Sequence, residues 1–301
     1  MASSESATMQ LALAAVHASI SADMVCACMV GKRAVFFISD RTGITVETLG
    51  HSLLTQFDLD FEQRTLPFTD SIARACAVVQ QINDTNRANS ARSIVFSTII
   101  DDEIRAVLHT ADAVVFDFFA TFIGPLEQEL MVRSSHAIGR SHGMINSKLY
   151  DVRIDAMNYA LHHDDGGNTH RYDQADIILV GVSRCGKTPT CIYLALQYGI
   201  YAANYPLTEE DLLGGRLPAP LRAHRRKLYA LTIQAERLAR IRSERRPNTR
   251  YASLRQCQYE VSRAKGLMER VKVPMSDTTT MSIEEIASTL VHERKLQRRL
   301  Y

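Results

Sequence analysis

Arg33–Ile38 (RAVFFI) is an apolar run of strand length that stops at Ser39-Asp40-Arg41-Thr42-Gly43. Over 44–57 the apolar residues then fall at 46, 49, 53, 54 and 57, which is a helical stripe. The alternation repeats, predicting strands at 65–68, 93–97 and 113–116 and helices at 71–83, 101–109 and 125–132. A stretch without periodicity, RSSHAIGRSHGMINSK over 133–148, is expected to be a linker. Beyond it, a helix over 149–161 runs into the breaker cluster His162-His163-Asp164-Asp165-Gly166-Gly167. A second alternating series follows, with strands at 176–180 and 227–233 and a short apolar run at 271–275. Its helices are predicted at 189–198, 235–246, 253–268 and 282–290. Strands alternating with helices of this length imply an α/β fold with mostly parallel sheets. The expected organisation is an N-terminal α/β domain at 32–148 and a kinase-like domain at 149–301. No internal repeat at a fixed period is apparent in the sequence.

Composition narrows the class. The 301 residues are 46% hydrophobic and 23% charged, ordinary for a globular protein and unlike a disordered or collagen-like chain. The most apolar long stretch, 11–30, is broken by His17, Ser19, Ser21 and Asp23, so no membrane span is expected. Residues 1–31 are rich in Ala and Ser and lack the basic start of a secretory signal. They are expected to be a disordered extension. Six cysteines, at 26, 28, 76, 185, 191 and 257, match neither a disulfide framework nor a paired zinc pattern, which fits a reduced, cytoplasmic protein. The net charge is only +2, and it argues against a protein dominated by nucleic-acid electrostatics. Yet residues 221–270 hold 14 Lys and Arg against 4 Asp and Glu, a local surplus suited to an anionic ligand.

The chemistry concentrates after the strand at 176–180. Gly181-Val182-Ser183-Arg184-Cys185-Gly186-Lys187-Thr188 satisfies G-x-x-x-x-G-K-[ST] between a strand and a helix. Glycines let the backbone curl so that successive N–H groups face phosphate oxygens, and the helix N-terminus adds its own unpaired donors. Lys187 supplies an ammonium to the terminal phosphates, Arg184 a bidentate donor, and the Thr188 hydroxyl a ligand for Mg²⁺. Cys185 is expected to be a small loop residue and not a nucleophile, since no base accompanies it.

Other candidates carry two readings. Asp164 and Asp165 suit a general base or metal ligand, and equally a solvated turn that ends a helix. Arg245, Arg246, Arg250 and Arg255 suit a hinged segment that closes over phosphates, and equally a solvated face. The strand at 227–233 ends in Gln234, so the late-strand carboxylate usual in nucleotide hydrolases is absent. Asp277 could replace it or could cap the helix at 282–290. The absence of N-K-x-D disfavours a GTPase.

Five blocks carry a resemblance: FFISDRTGIT at 36–45, HDDG at 163–166, GVSRCGKTPT at 181–190, AANYP at 202–206 and RYASLRQC at 250–257. In this order and spacing they resemble the bacterial phosphoenolpyruvate synthase regulatory proteins, relatives of the plant pyruvate, phosphate dikinase regulatory proteins. Cys185 matches the synthase-type loop. The resemblance implies a bifunctional enzyme. It would phosphorylate a threonine of phosphoenolpyruvate synthase with ADP as donor, inactivating it, and remove that phosphate with inorganic phosphate to give pyrophosphate. Residues 181–188 would be the ADP loop, and a homodimer is implied. Two other readings remain open: an ATP-dependent kinase of a small metabolite, and a non-catalytic nucleotide-sensing module that binds a partner.

Overall fold

The computed structural model describes residues 32–89, 91–135 and 147–300. The extension at 1–31, with Cys26 and Cys28, and most of the expected linker lie outside them. The chain divides into two compact units, Met1–Gly143 and Met144–Tyr301.

In the first unit the elements run β1 (Arg33–Ile38), α1 (Ile44–Leu54), β2 (Phe61–Leu66), α2 (Ile72–Asn89), β3 (Ser93–Ser97), α3 (Asp102–Leu108), β4 (Ala113–Asp117) and α4 (Phe118–Leu130). The strands form one parallel sheet in the order β2-β1-β3-β4. β1 is interior and covered on both faces, which explains its unbroken apolar sequence. Val35 and Phe37 pack with Val46 and Leu54 of α1 and with Phe96. Phe36 and Ile38 pack on the opposite face with Ala75, Val78 and Ile82 of α2 and Ile104 and Leu108 of α3. Each such fully buried side chain contributes about 1.5–3 kcal/mol. β1 is therefore the anchor of the unit.

Three elements depart from the sequence pattern. β2 begins at Phe61 and ends at Leu66, where 65–68 was expected. Its only sheet partner among the described residues is β1, and Phe68, in a left-handed conformation, turns the chain away. α2 runs past Asn83 to Asn89 because its asparagines do not cap it. Asn83 instead accepts the backbone N–H of Asp112, and Asn86 accepts that of Ser93. α4 starts directly after β4, seven residues before Pro125, because the Asp117 carboxylate caps it through the N–H of Ala120 at 2.9 Å.

Asp40, just beyond β1, is buried, and desolvation raises its pKa above the ordinary aspartate value despite the nearby Arg41 and backbone donors. The native state then holds the proton to higher pH than the unfolded chain. Stability falls as pH rises from the ordinary value through the raised one. Asp40→Asn removes this titration. Thermal melts are expected to favour the variant more at about pH 7 than below the ordinary aspartate value, where the wild-type carboxyl is protonated in both folded and unfolded chains.

The second unit comprises α5 (Ser147–His162), β5 (Ile177–Gly181), α6 (Lys187–Tyr198), β6 (Ala202–Pro206), α7 (Glu209–Gly214), α8 (Ala219–Arg222), β7 (Leu228–Thr232), α9 (Ala235–Arg245), α10 (Leu254–Arg270), β8 (Met275–Asp277) and α11 (Ile283–Arg294). Its parallel sheet has the order β6-β5-β7-β8. Ile177–Val180, Leu194, Leu228–Leu231, Leu238, Leu267 and Leu290 share one core. β8 lies later than the expected run at 271–275. α10 persists to Arg270, and Lys272 then turns in a left-handed conformation before the strand can pair. In both units strand order reverses beside the first strand, and ligands of open parallel sheets bind outside that point. No helix among the described residues is long and apolar enough to cross a membrane.

Candidate active site

The connection from β5 to α6 stands at that reversal point. Gly181 ends β5 where a Cβ would lie 2.4 Å from the Leu231 carbonyl oxygen, so no larger residue fits without moving β7. Gly186 takes φ +95° and serves as N-cap of α6 without offering a side-chain acceptor. The first N–H groups of this twelve-residue helix thus keep their donor capacity, and the helix dipole adds positive potential there. Arg184 is exposed, in a left-handed conformation. Lys187 is buried, and its ammonium donates to the Val182 carbonyl at 2.9 Å. Val182 and Cys185 face the core, and burial pushes the Cys185 thiol up, which suits an inert loop residue. Thr278 ties the loop to the sheet by donating to the Cys185 and Thr232 carbonyls, at 3.2 and 3.0 Å.

The two aspartates come to this loop from the end of α5. The Thr188 hydroxyl donates to Asp164 Oδ1 at 2.7 Å. Asn204 of β6, fully buried, donates its amide to the same oxygen and accepts the Asp165 N–H at 3.0 Å. The backbone N–H of Asn204 donates to the His163 carbonyl at 3.2 Å. Three successive residues of the turn are thereby held by one asparagine, and Asp165 adopts φ 48°, ψ 31°. His163 is buried and stacked on Tyr159 at 4.0 Å, while His162 is exposed. His163 is therefore a packing residue behind the turn.

Asp164, Asp165, Ser183, Arg184, Gly186, Lys187 and Thr188 line one cleft of about 630 Å³. Its far wall is made by Ile241, Arg245, Arg246 and Tyr251. Of the arginines singled out in the sequence, the structure brings Arg245 and Arg246 to the cleft. Arg250 points to Glu209, at 2.6 Å, and Arg255 is exposed on α10; neither lines the cleft. Asp277 is occupied by the Thr279 N–H and hydroxyl, while Ser282 and Glu285 cap α11 in its place.

The far wall is built on Arg242, a residue the sequence pattern did not single out. It has no exposed surface and donates to the Ser183 carbonyl (3.1 Å), the Tyr251 carbonyl (3.0 Å) and Glu260 (2.6 Å). Its guanidinium also lies 4.1 Å from the centre of the Tyr251 ring, and the Tyr251 hydroxyl is 2.9 Å from the Ser183 hydroxyl. Burial opposes its charge, but the hydrogen bond and field of Glu260 hold its pKa above the ordinary value. One signal was present in the sequence: Ala235, Leu238 and Arg242 share the buried face of α9.

Among the described residues no group of three or more His, Cys, Asp or Glu is placed to hold a metal ion. The Thr188–Asp164 oxygen pair nonetheless fits Mg²⁺, which takes one or two protein oxygens and completes its shell with phosphate and water.

Residues 35–291 match the family model described as Kinase/pyrophosphorylase. Curated relatives agree over almost their whole lengths. A protein of Alkalilimnicola ehrlichii is 65% identical over 270 residues, covering 90% of this chain and 98% of its own. One of Halorhodospira halophila is 59% identical, covering 90% and 100%. One of Pseudomonas fluorescens is 51% identical, covering 89% and 99%. Each bears the provisional name phosphoenolpyruvate synthase regulatory protein. With a family model spanning 35–291 and relatives of this identity, the chain belongs to the kinase/pyrophosphorylase family.

Proposed function

We propose that the protein is a cytoplasmic, homodimeric regulator of phosphoenolpyruvate synthase that transfers phosphoryl groups to and from one threonine of that enzyme. The observation that carries this reading is the Thr188–Asp164 hydrogen bond beside Lys187. It joins a phosphate cradle to a carboxylate pair in a single cleft. In the inactivating direction, ADP is the donor. The threonine oxygen attacks the β-phosphorus, the bond from that phosphorus to the bridging oxygen breaks, and AMP leaves. Asp165, exposed at the cleft, takes the threonine proton. Asp164 and Thr188 would hold Mg²⁺, which when bound neutralises charge on the phosphoryl oxygens. Lys187 and Arg184 stabilise the transferred group, with Arg245 and Arg246 closing from the opposite wall.

In the activating direction, an oxygen of inorganic phosphate attacks the phosphothreonine phosphorus. The threonine C–O–P linkage breaks at phosphorus, pyrophosphate leaves, and Asp165 takes the proton of the attacking phosphate and passes it to the threonine oxygen. Both directions place a phosphoryl group between the same donors, so one electrostatic site serves both.

The test incubates purified synthase with the protein, Mg²⁺ and either ADP or ATP, followed by mass spectrometry of the synthase. One added phosphate on threonine with ADP alone is the expected result. Transfer from ATP alone to a small metabolite would favour the metabolite kinase. No transfer from either nucleotide would favour the sensing module.

A further inference from the structure

The first unit repeats the length and residue pattern of the second unit's loop, although the backbone differs at the third position, where Arg184 is left-handed and Arg41 is not. β1 ends at Ile38 and α1 begins at Ile44; β5 ends at Gly181 and α6 begins at Lys187. Each connection has five residues, Ser39-Asp40-Arg41-Thr42-Gly43 and Val182-Ser183-Arg184-Cys185-Gly186. Arginine holds the third position in both. Glycine holds the fifth, at φ +80° and +95°, and caps its helix without a side-chain acceptor. The second helical residue is threonine in both, Thr45 and Thr188. The preceding strands occupy the same place in sheets of the same order, β2-β1-β3-β4 and β6-β5-β7-β8. One residue type that matters differs: Ile44 stands where the other loop has Lys187.

A helix start alone would not make a site, but Asp40 adds an independent feature. It is only 6% exposed, and its Oδ2 has no hydrogen-bond partner among the described residues. Its carboxyl interacts with the backbone N–H of Ile100 beyond β3, which places it in the crevice between β1 and β3 where strand order reverses. Such an oxygen is costly to leave unpaired. The surrounding loop is already fixed. Ser39 Oγ accepts the Arg41 N–H at 3.2 Å, while the Ser39 and Arg41 carbonyls accept the N–H groups of Thr69 (2.9 Å) and Phe68 (2.8 Å). The Arg41 side chain is exposed and makes no ion pair with a described residue.

We propose that the loop at 39–45 binds a phosphoryl group, as inorganic phosphate or as a phosphate monoester, without transferring it. The free N–H groups at the start of α1 and the Arg41 guanidinium face the anion. Asp40 Oδ2 shares one proton with a phosphoryl oxygen, which satisfies the unpaired atom. Ile44 offers no ammonium to a leaving oxygen, so this loop binds only. The inference is independent of the reaction proposed above, since it concerns the other unit and needs neither nucleotide nor target.

The experiment is calorimetric titration of the full-length Lys187→Ala variant, in which the other loop is weakened, with orthophosphate and separately with a phosphothreonine peptide. At least one probe is expected to bind. Adding Arg41→Ala should weaken that binding at least about tenfold, as loss of a charge-assisted contact does. Asp40→Ala, which removes the oxygen that shares the proton, should weaken it as well. The probe that binds more tightly identifies the source of the phosphoryl group. Arg41 is exposed, so thermal melts of its variant should match those of the parent and exclude misfolding. Absence of binding by both probes, or unchanged affinity after Arg41→Ala, would overturn the proposal.

Discussion

Lys187→Ala is expected to lower ADP-dependent phosphorylation of the synthase by at least about 10²–10³-fold, the cost of removing one preorganised charge from an acyl- or phosphoryl-transfer site. Phosphorolysis should fall in parallel. If it stayed at the wild-type rate, the two directions would use different sites. The ammonium is buried and meets a neutral carbonyl, that of Val182, as its hydrogen-bond partner among the described residues. Removing a buried charge with a single neutral acceptor does not cost folding free energy the way breaking an ion pair does. The variant should therefore melt at or above the wild-type temperature, which separates a loss of catalysis from a loss of structure. Lys187 must also leave Val182 to reach a phosphate, so ADP binding should exchange one hydrogen bond for a charge-assisted one.

The two aspartates are expected to fail differently. Asp165→Asn should reduce kcat about 10²–10⁴-fold, as loss of a general base does, with little change in the KM for ADP. Because the proposed reaction has the same group deliver a proton to threonine, kcat for phosphorolysis should drop as well. Asp164→Asn should instead raise the Mg²⁺ concentration needed for half-maximal rate. Its carboxylate accepts both the Thr188 hydroxyl and the Asn204 amide, whereas the Asp165 side chain stands exposed. Steady-state kinetics at several Mg²⁺ concentrations distinguish the two. If Asp164→Asn lost kcat without a change in Mg²⁺ dependence while Asp165→Asn remained active, the assignments would be reversed.

Much of this site was legible in the chain. The loop at 181–188 announces itself because glycine, lysine and threonine at fixed spacing lie between an apolar run and a helical stripe, all within local reach. Local sequence does not say which side of a helix or turn meets another element. Asp164 and Asp165 had two readings, a turn or a chemical pair, until β6 brought Asn204 beneath them from 40 residues away. Arg242 was hidden among 14 basic residues, and only the packing of α9 on α10 separates it from Arg250 and Arg255. The same limit explains α4, where Pro125 suggested a start that the Asp117 cap overrides.

By itself the sequence determined the α/β class, the placement of G-x-x-x-x-G-K-[ST] between a strand and a helix, and the membership that its ordered blocks pointed to. These follow from periodicity and from residues adjacent in the chain, whose geometry backbone sterics and hydrogen bonding set locally. The tertiary structure alone decided which carboxylate meets Thr188, which arginines wall the cleft, and that the loops after β1 and β5 both stand where strand order reverses. Those are consequences of strand order and register, and they arise only when segments far apart in sequence share one core.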